Sequence, residues 1–120
     1  MSRVRNAVAR HKRHKKVLKA AKGNVGGRRK LYTVAADANK RALEYQYRDR
    51  RNKKRNFRAL WITRINAAAR EHGITYSVLI SGLIKAGVLI DRKMLADLAV
   101  KDPVAFGKVV EVARKGLSVE

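Results

Sequence analysis

The chain has no cysteine in 120 residues, which excludes a disulfide framework and a thiolate metal site and fits a reducing compartment. Acidic residues are also scarce, nine against 30 Lys and Arg, and they are too scattered to converge as a general acid and base. With no phosphate-cradling Walker pattern and no nucleophile paired to a base, no enzyme is expected. Long apolar runs are missing as well. The longest, Val78 to Ile90, is broken by Lys85 and falls short of the roughly 20 residues that a membrane-spanning helix needs. No apolar segment follows Arg3 and Arg5 at the basic start, so no export is expected and the chain reads as soluble and cytoplasmic.

What the chain does have is positive charge, distributed unevenly. Residues 1 to 58 carry 21 Lys or Arg against three acids, Asp37, Glu44 and Asp49, a net of +18. Residues 59 to 120 carry nine against six, a net of +3. An excess so one-sided repels itself in free solution and calls for a neutralising partner, of which phosphate backbone is the commonest. The basic half has too few contiguous apolar residues to add much to a core, so conventional folding is expected of the second half alone.

The residue pattern predicts an all-α fold: a long basic helical N-terminal extension, residues 1 to 58, followed by a small compact helical domain, residues 59 to 120. Val4 to Lys22 suits a helix that stops at Gly23, after which Gly26 and Gly27 mark a hinge, a bend, a flexible linker or a snug contact with RNA. From about Lys30 to His72 no glycine or proline intervenes, which predicts one or two extended helices. A core-facing stripe is expected at Phe57, Trp61, Ile65 and Ala68. Past Gly73, Thr75 or Ser77 is placed to cap a helix with Val78, Leu79 and Leu83, ending at Lys85-Ala86-Gly87. Asp91 is placed to cap a second helix that buries Met94, Leu95 and Leu98. Asp102-Pro103 starts a third, with Phe106, Val109, Val110 and Ala113 on its apolar face, running to Gly116. Val88 to Ile90 is ambiguous between strand and helix.

Candidate contacts follow the cations. Arg3, Arg5, Arg10, Lys12, Arg13, Lys15, Lys16, Lys19 and Lys22 form one group, with Arg28 and Arg29 beyond the glycines. Like charges at i and i+3 or i+4 cost roughly 0.2 to 0.5 kcal/mol a pair in an isolated helix. The first helix is therefore expected to fray alone and fold on RNA, where the same charges release counterions. His11 and His14 have metal-ligand spacing, but no nearby acid completes a site, so no metal is expected and they are assigned to phosphate or ribose. A second group is Arg48, Arg50, Arg51, Lys53, Lys54, Arg55 and Arg58, which a 100 degree advance spreads around nearly the whole helix. Asp49 is expected to order its cationic neighbours. Tyr32, Tyr45 and Tyr47 interleave with these cations, placed either to stack on unpaired bases or to pack in the core. Trp61 belongs to the core.

Three segments carry a resemblance: Tyr47-Arg48-Asp49-Arg50-Arg51-Asn52-Lys53-Lys54-Arg55, then Phe57-Arg58-Ala59-Leu60-Trp61-Ile62, then Arg64-Ile65-Asn66-Ala67-Ala68-Ala69-Arg70. They resemble the bacterial large-subunit ribosomal protein twenty family. The likeness continues through His11 to Leu18, Tyr76-Ser77, Gly82-Leu83 and Asp91 to Ala99. The resemblance implies a helical extension threaded into large-subunit rRNA and a small helical domain nearer the surface, with a role in early assembly and none in peptidyl transfer. It implies rRNA contact by the His11 to Lys16 run, by Arg48 to Arg58, by Arg64 and Arg70, and by Lys85, Arg92 and Lys93 of the compact domain. Asn24 and Thr33 depart from the family pattern, which usually has an aromatic and a basic residue there. The expected partners are 23S rRNA and neighbouring large-subunit proteins, with no membrane, cofactor or small-molecule substrate. Repression of its own messenger, known in parts of that family, and a nucleoid DNA-architectural role are the alternatives.

Overall fold

The computed structural model describes residues 6–118, so Arg3 and Arg5 lie outside the described residues. Six helices follow in order: α1 Ala7–Ala20, α2 Gly27–Lys30, α3 Tyr32–Glu71, α4 Tyr76–Lys85, α5 Arg92–Lys101 and α6 Pro103–Leu117. No strand occurs among the described residues, and Val88 to Ile90 is the irregular link between α4 and α5. The breaker-free stretch forms one helix, α3, of 40 residues. By internal contacts the chain divides into Met1–Arg51 and Asn52–Glu120.

The second unit holds the core. Ile65 and Ala69 of α3 meet Leu79 and Leu83 of α4, Leu95 and Ala96 of α5, and Phe106, Val110 and Ala113 of α6. Each fully buried Leu, Ile or Phe side chain contributes roughly 1.5–3 kcal/mol of transfer free energy, so this cluster is the main apolar support of the unit's packing. The stripe on α3 starts later than expected: Trp61 and Ala68 pack against the cluster, but Phe57 is 46% exposed. The ring of Phe57 instead lies 6.3 Å from that of Trp61, four residues on. Helices of 10 to 15 residues cover only the last turns of α3. Met94 is likewise 60% exposed, not buried. Leu95, Leu98 and Ala99 take the inward face of α5 at i, i+3 and i+4 and leave Met94 to the side.

The helix ends are set by short-range chemistry. Asp91 Oδ1 accepts from Met94 N at 2.7 Å and Asp102 Oδ1 accepts from Ala105 N at 2.9 Å, so both expected aspartate caps form. Thr75 occupies the N-cap of α4, but its side chain makes no cap bond. The Tyr76 amide donates instead to Asn66 Oδ1 at 3.2 Å, so a residue of α3 supplies the acceptor. At the end of α4, Gly87 takes φ +69°, Val88 N bonds to Leu83 O and Gly87 N to Ile84 O, the double closure that favours glycine there. The Arg114 guanidinium donates to the His72 carbonyl just past α3.

Helices α4 and α6 approach closely at Gly82, where an added Cβ would run into the Ala113 backbone carbonyl. Because backbone rather than a flexible side chain stands in the way, relief needs the helices to separate. Gly82→Ala is therefore expected to destabilise the bundle by about 1–3 kcal/mol, an effect of overpacking. A calorimetric melt should show Tm falling by at least about 4 °C. An unchanged or raised Tm contradicts this packing.

Candidate nucleic-acid interface

In the first unit two alanines, Ala21 and Ala35, are fully buried, and no residue of α1 itself is. What ties α1 to the start of α3 is polar and aromatic. Asn39 Nδ2 donates to the Val17 carbonyl at 2.8 Å, and the His14 imidazole stacks on the Tyr32 ring with centroids 3.8 Å apart and planes 20° from parallel. Gly23 and Gly26 make the reversal between them, at φ +94° and +63°, where a side chain would be strained. Gly27 has no such requirement and opens α2. Of the readings left open for the three glycines, the structure shows a bend, and it rests on Gly23 and Gly26.

With Val17 and Leu18 half-buried, Arg10, His11, Lys12, Arg13, Lys15, Lys16 and Lys19 are left exposed on α1, and Lys22 just after it. The helix gets little help from its own ends. Asn6 makes no side-chain cap bond and no acid sits in the first turn to complement the helix dipole. Arg28 and Arg29 are exposed on the single turn of α2. Arg28 lines a groove of about 620 Å³ with Arg41, Asp37, Asn39 and Tyr45. Asn24 and Thr33, the two departures from the family pattern, line the same groove.

Along α3, Arg48, Arg50, Arg51, Lys53, Lys54, Arg55 and Arg58 are all exposed. Asp49 does order a neighbour: Arg48 Nε donates to Asp49 Oδ1 at 2.8 Å, the one ion pair among the described residues up to 58. That hydrogen bond first, and the carboxylate charge second, raise the Arg48 pKa above its already high value, so Arg48 is charged at every physiological pH. Tyr32, Tyr45 and Tyr47 are 37%, 54% and 58% exposed, which removes them from the core. Tyr45 and Tyr47 carry Arg48 and Arg51 over their rings.

The remaining candidates lie on the second unit. Arg64 and Arg70 are exposed on α3, and Lys85 is exposed in the last turn of α4. Arg92 is half-buried and its Nε donates to the Tyr76 hydroxyl at 2.8 Å, a structural bond that draws it away from solvent. Lys93 shares a cleft of about 320 Å³ with Trp61, Arg64 and Met94. Sequence reasoning passed over Lys30, Lys40 and Arg41, all exposed. The signal for Lys40 and Arg41 was an adjacent cation pair in the breaker-free stretch.

No polar or charged residue among those described is buried, and no cluster of three or more His, Asp or Glu among them is placed to hold a metal ion. The class defined by fold and surface is that of a small, all-helical, strongly basic protein that presents exposed cations along its helices. Comparison with known proteins then fixes the family.

The chain belongs to the family described as Ribosomal protein L20, whose profile matches residues 3–109. It is similar to the large ribosomal subunit protein bL20 of Thermomicrobium roseum, 62% identical over 117 residues that cover 98% of this chain and 100% of that one. The protein of the same name from Methylobacterium sp. strain 4-46 is 58% identical over 120 residues, 100% of this chain and 96% of its own. That of Carboxydothermus hydrogenoformans is 59% identical over 117 residues, 98% and 100%.

Because Asn39 supplies the hydrogen bond that joins α1 to α3, its removal should loosen α1 by about 0.5–1.5 kcal/mol. In Asn39→Ala the α1 amides should exchange about two- to tenfold faster by NMR while those of α4 to α6 stay unchanged. Equal exchange in α1 contradicts the role given to this bond.

Proposed function

We propose that this chain is a structural protein of the large ribosomal subunit that binds 23S rRNA directly and promotes early subunit assembly, without catalytic function. The observation that carries the reading is the combination of family membership with a first half whose described cations are exposed and, Arg48 aside, unpaired with any acid. The proteins that it resembles bear the name of a large-subunit component, which favours rRNA over duplex DNA as the polyanion. Neighbouring large-subunit proteins complete the environment, and the ribosome places the chain in the cytoplasm.

The mechanism is electrostatic. Phosphate groups of separate RNA helices repel one another, and a helix with cations on several sides binds them together, releasing condensed counterions as it does so. Such contacts position the RNA more than they read its sequence, because the deep major groove of A-form RNA admits side chains poorly. Within this mechanism Arg10 to Lys22, Arg28, Arg29, Arg50 and Lys53 to Arg58 grip backbone phosphate. Arg64, Arg70, Lys85 and Lys93 add a second set from the compact domain. The division of labour falls near residue 58.

Replacing Lys53, Lys54 and Arg55 together by Gln leaves the core untouched and removes three cations from the phosphate-gripping run. The slope of log affinity for a 23S rRNA fragment against log salt concentration should flatten by about one for each phosphate that is no longer neutralised. An unchanged slope contradicts phosphate binding by this run.

A further inference from the structure

Two arginines in the basic run of α3 lie over tyrosine rings of the same helix. Tyr45 and Arg48 stand three residues apart and Tyr47 and Arg51 four apart, spacings that bring side chains together on one helix face. The guanidinium carbon of Arg48 lies 4.7 Å from the centre of the Tyr45 ring, and that of Arg51 lies 3.7 Å from the centre of the Tyr47 ring. Each is also fixed at an edge. Arg48 Nε donates to Asp49 Oδ1 at 2.8 Å, and Arg51 Nη1 donates to the Tyr47 carbonyl at 3.1 Å.

This arrangement differs from that of an arginine kept for phosphate. A phosphate-gripping guanidinium offers its fork of N–H donors and its full charge. Arg48 has given Nε to Asp49, the single acid between positions 48 and 58, and that carboxylate offsets its charge. What remains available is a planar face of each guanidinium, backed by a tyrosine ring and held in orientation. Planar, weakly hydrated guanidinium faces and tyrosine rings are the surfaces on which unpaired bases stack.

Resting on the RNA-binding function proposed above, we infer that the Tyr45–Arg48 and Tyr47–Arg51 pairs are two stacking platforms for unpaired nucleobases, set among cations that hold the phosphates. The midpoints of the two pairs lie about 110° apart around the helix by its advance per residue. They therefore address two different stretches of RNA. Stacking of this kind selects loops and bulges, because a duplex keeps its base faces buried in its own stack. The run thus combines an electrostatic grip indifferent to base pairing with two positions that demand unpaired bases.

The test is a binding titration of the full chain at matched salt, against an RNA hairpin with an unpaired loop and against a fully paired RNA duplex of equal nucleotide number. The native chain should prefer the hairpin. Tyr47→Leu, at an exposed site and with a better helix former, should lower hairpin affinity about tenfold and leave duplex affinity within about twofold. Arg51→Lys keeps the charge but not the plane and should do the same, whereas Tyr47→Phe should retain the preference. Equal losses on both RNAs, or a native chain without preference, would overturn the platforms and leave RNA binding standing. Failure of the native chain to bind either RNA would overturn the functional reading along with them.

Discussion

Charge without a counter-charge is the constraint from which the organisation of this protein follows. Along α1, cations recur one turn apart on a helix that lacks a capping bond and an acid in its first turn. Neighbours one turn apart are about 5–6 Å from each other, inside the screening length of physiological salt, so solvent ions do not remove the repulsion. Against it stand two buried alanines, one side-chain hydrogen bond and one stacked ring pair. Anions brought against α1 convert the same charges from a cost into binding free energy. On the function proposed above, the stability of the first unit and its affinity for RNA are in this sense one quantity.

The second unit is built on the opposite plan. From residue 59 onward its charge is near balance, and its shorter helices are capped by aspartates at two starts and closed by left-handed glycines after α3 and α4. Its core is apolar throughout. Gly82 lets α4 and α6 meet backbone to backbone, and Arg92 on the Tyr76 hydroxyl adds a polar tie at the edge. Arg64, Arg70 and Lys93 stand exposed on helices packed around an apolar core, a different means of placing cations from that of α1. Continuous α3 belongs to both units, apolar where it packs from Trp61 onward and cationic before that.

Much of this was legible in the residues because the signals were local. Asp91, Asp102-Pro103 and Gly87 mark helix ends through bonds within four residues or so, and each formed as expected. The misreadings came where a residue's fate depends on a distant neighbour. Thr75 has the right type for a cap, but Asn66, ten residues before Tyr76, supplies the acceptor. Phe57 continues the spacing of the core stripe, yet it stays outside the packed cluster, and Met94 sits on the open side of α5. The tyrosines could not be assigned from composition, since their partners His14, Arg48 and Arg51 became visible only once the helices were placed. The cationic surface was legible as a whole, while Arg92, counted among it, has a structural partner that only tertiary placement reveals.

The claim that RNA phosphate compensates the basic half, residues 1 to 58, is tested most directly by lysine acetylation in purified large subunits, read at Lys12, Lys16, Lys53 and Lys54 by mass spectrometry. The account predicts that these lysines are protected in the intact particle and become reactive once its RNA is digested with ribonuclease. Lysines that react as readily in the intact particle as in the free chain, or that stay protected after the RNA is gone, would contradict it.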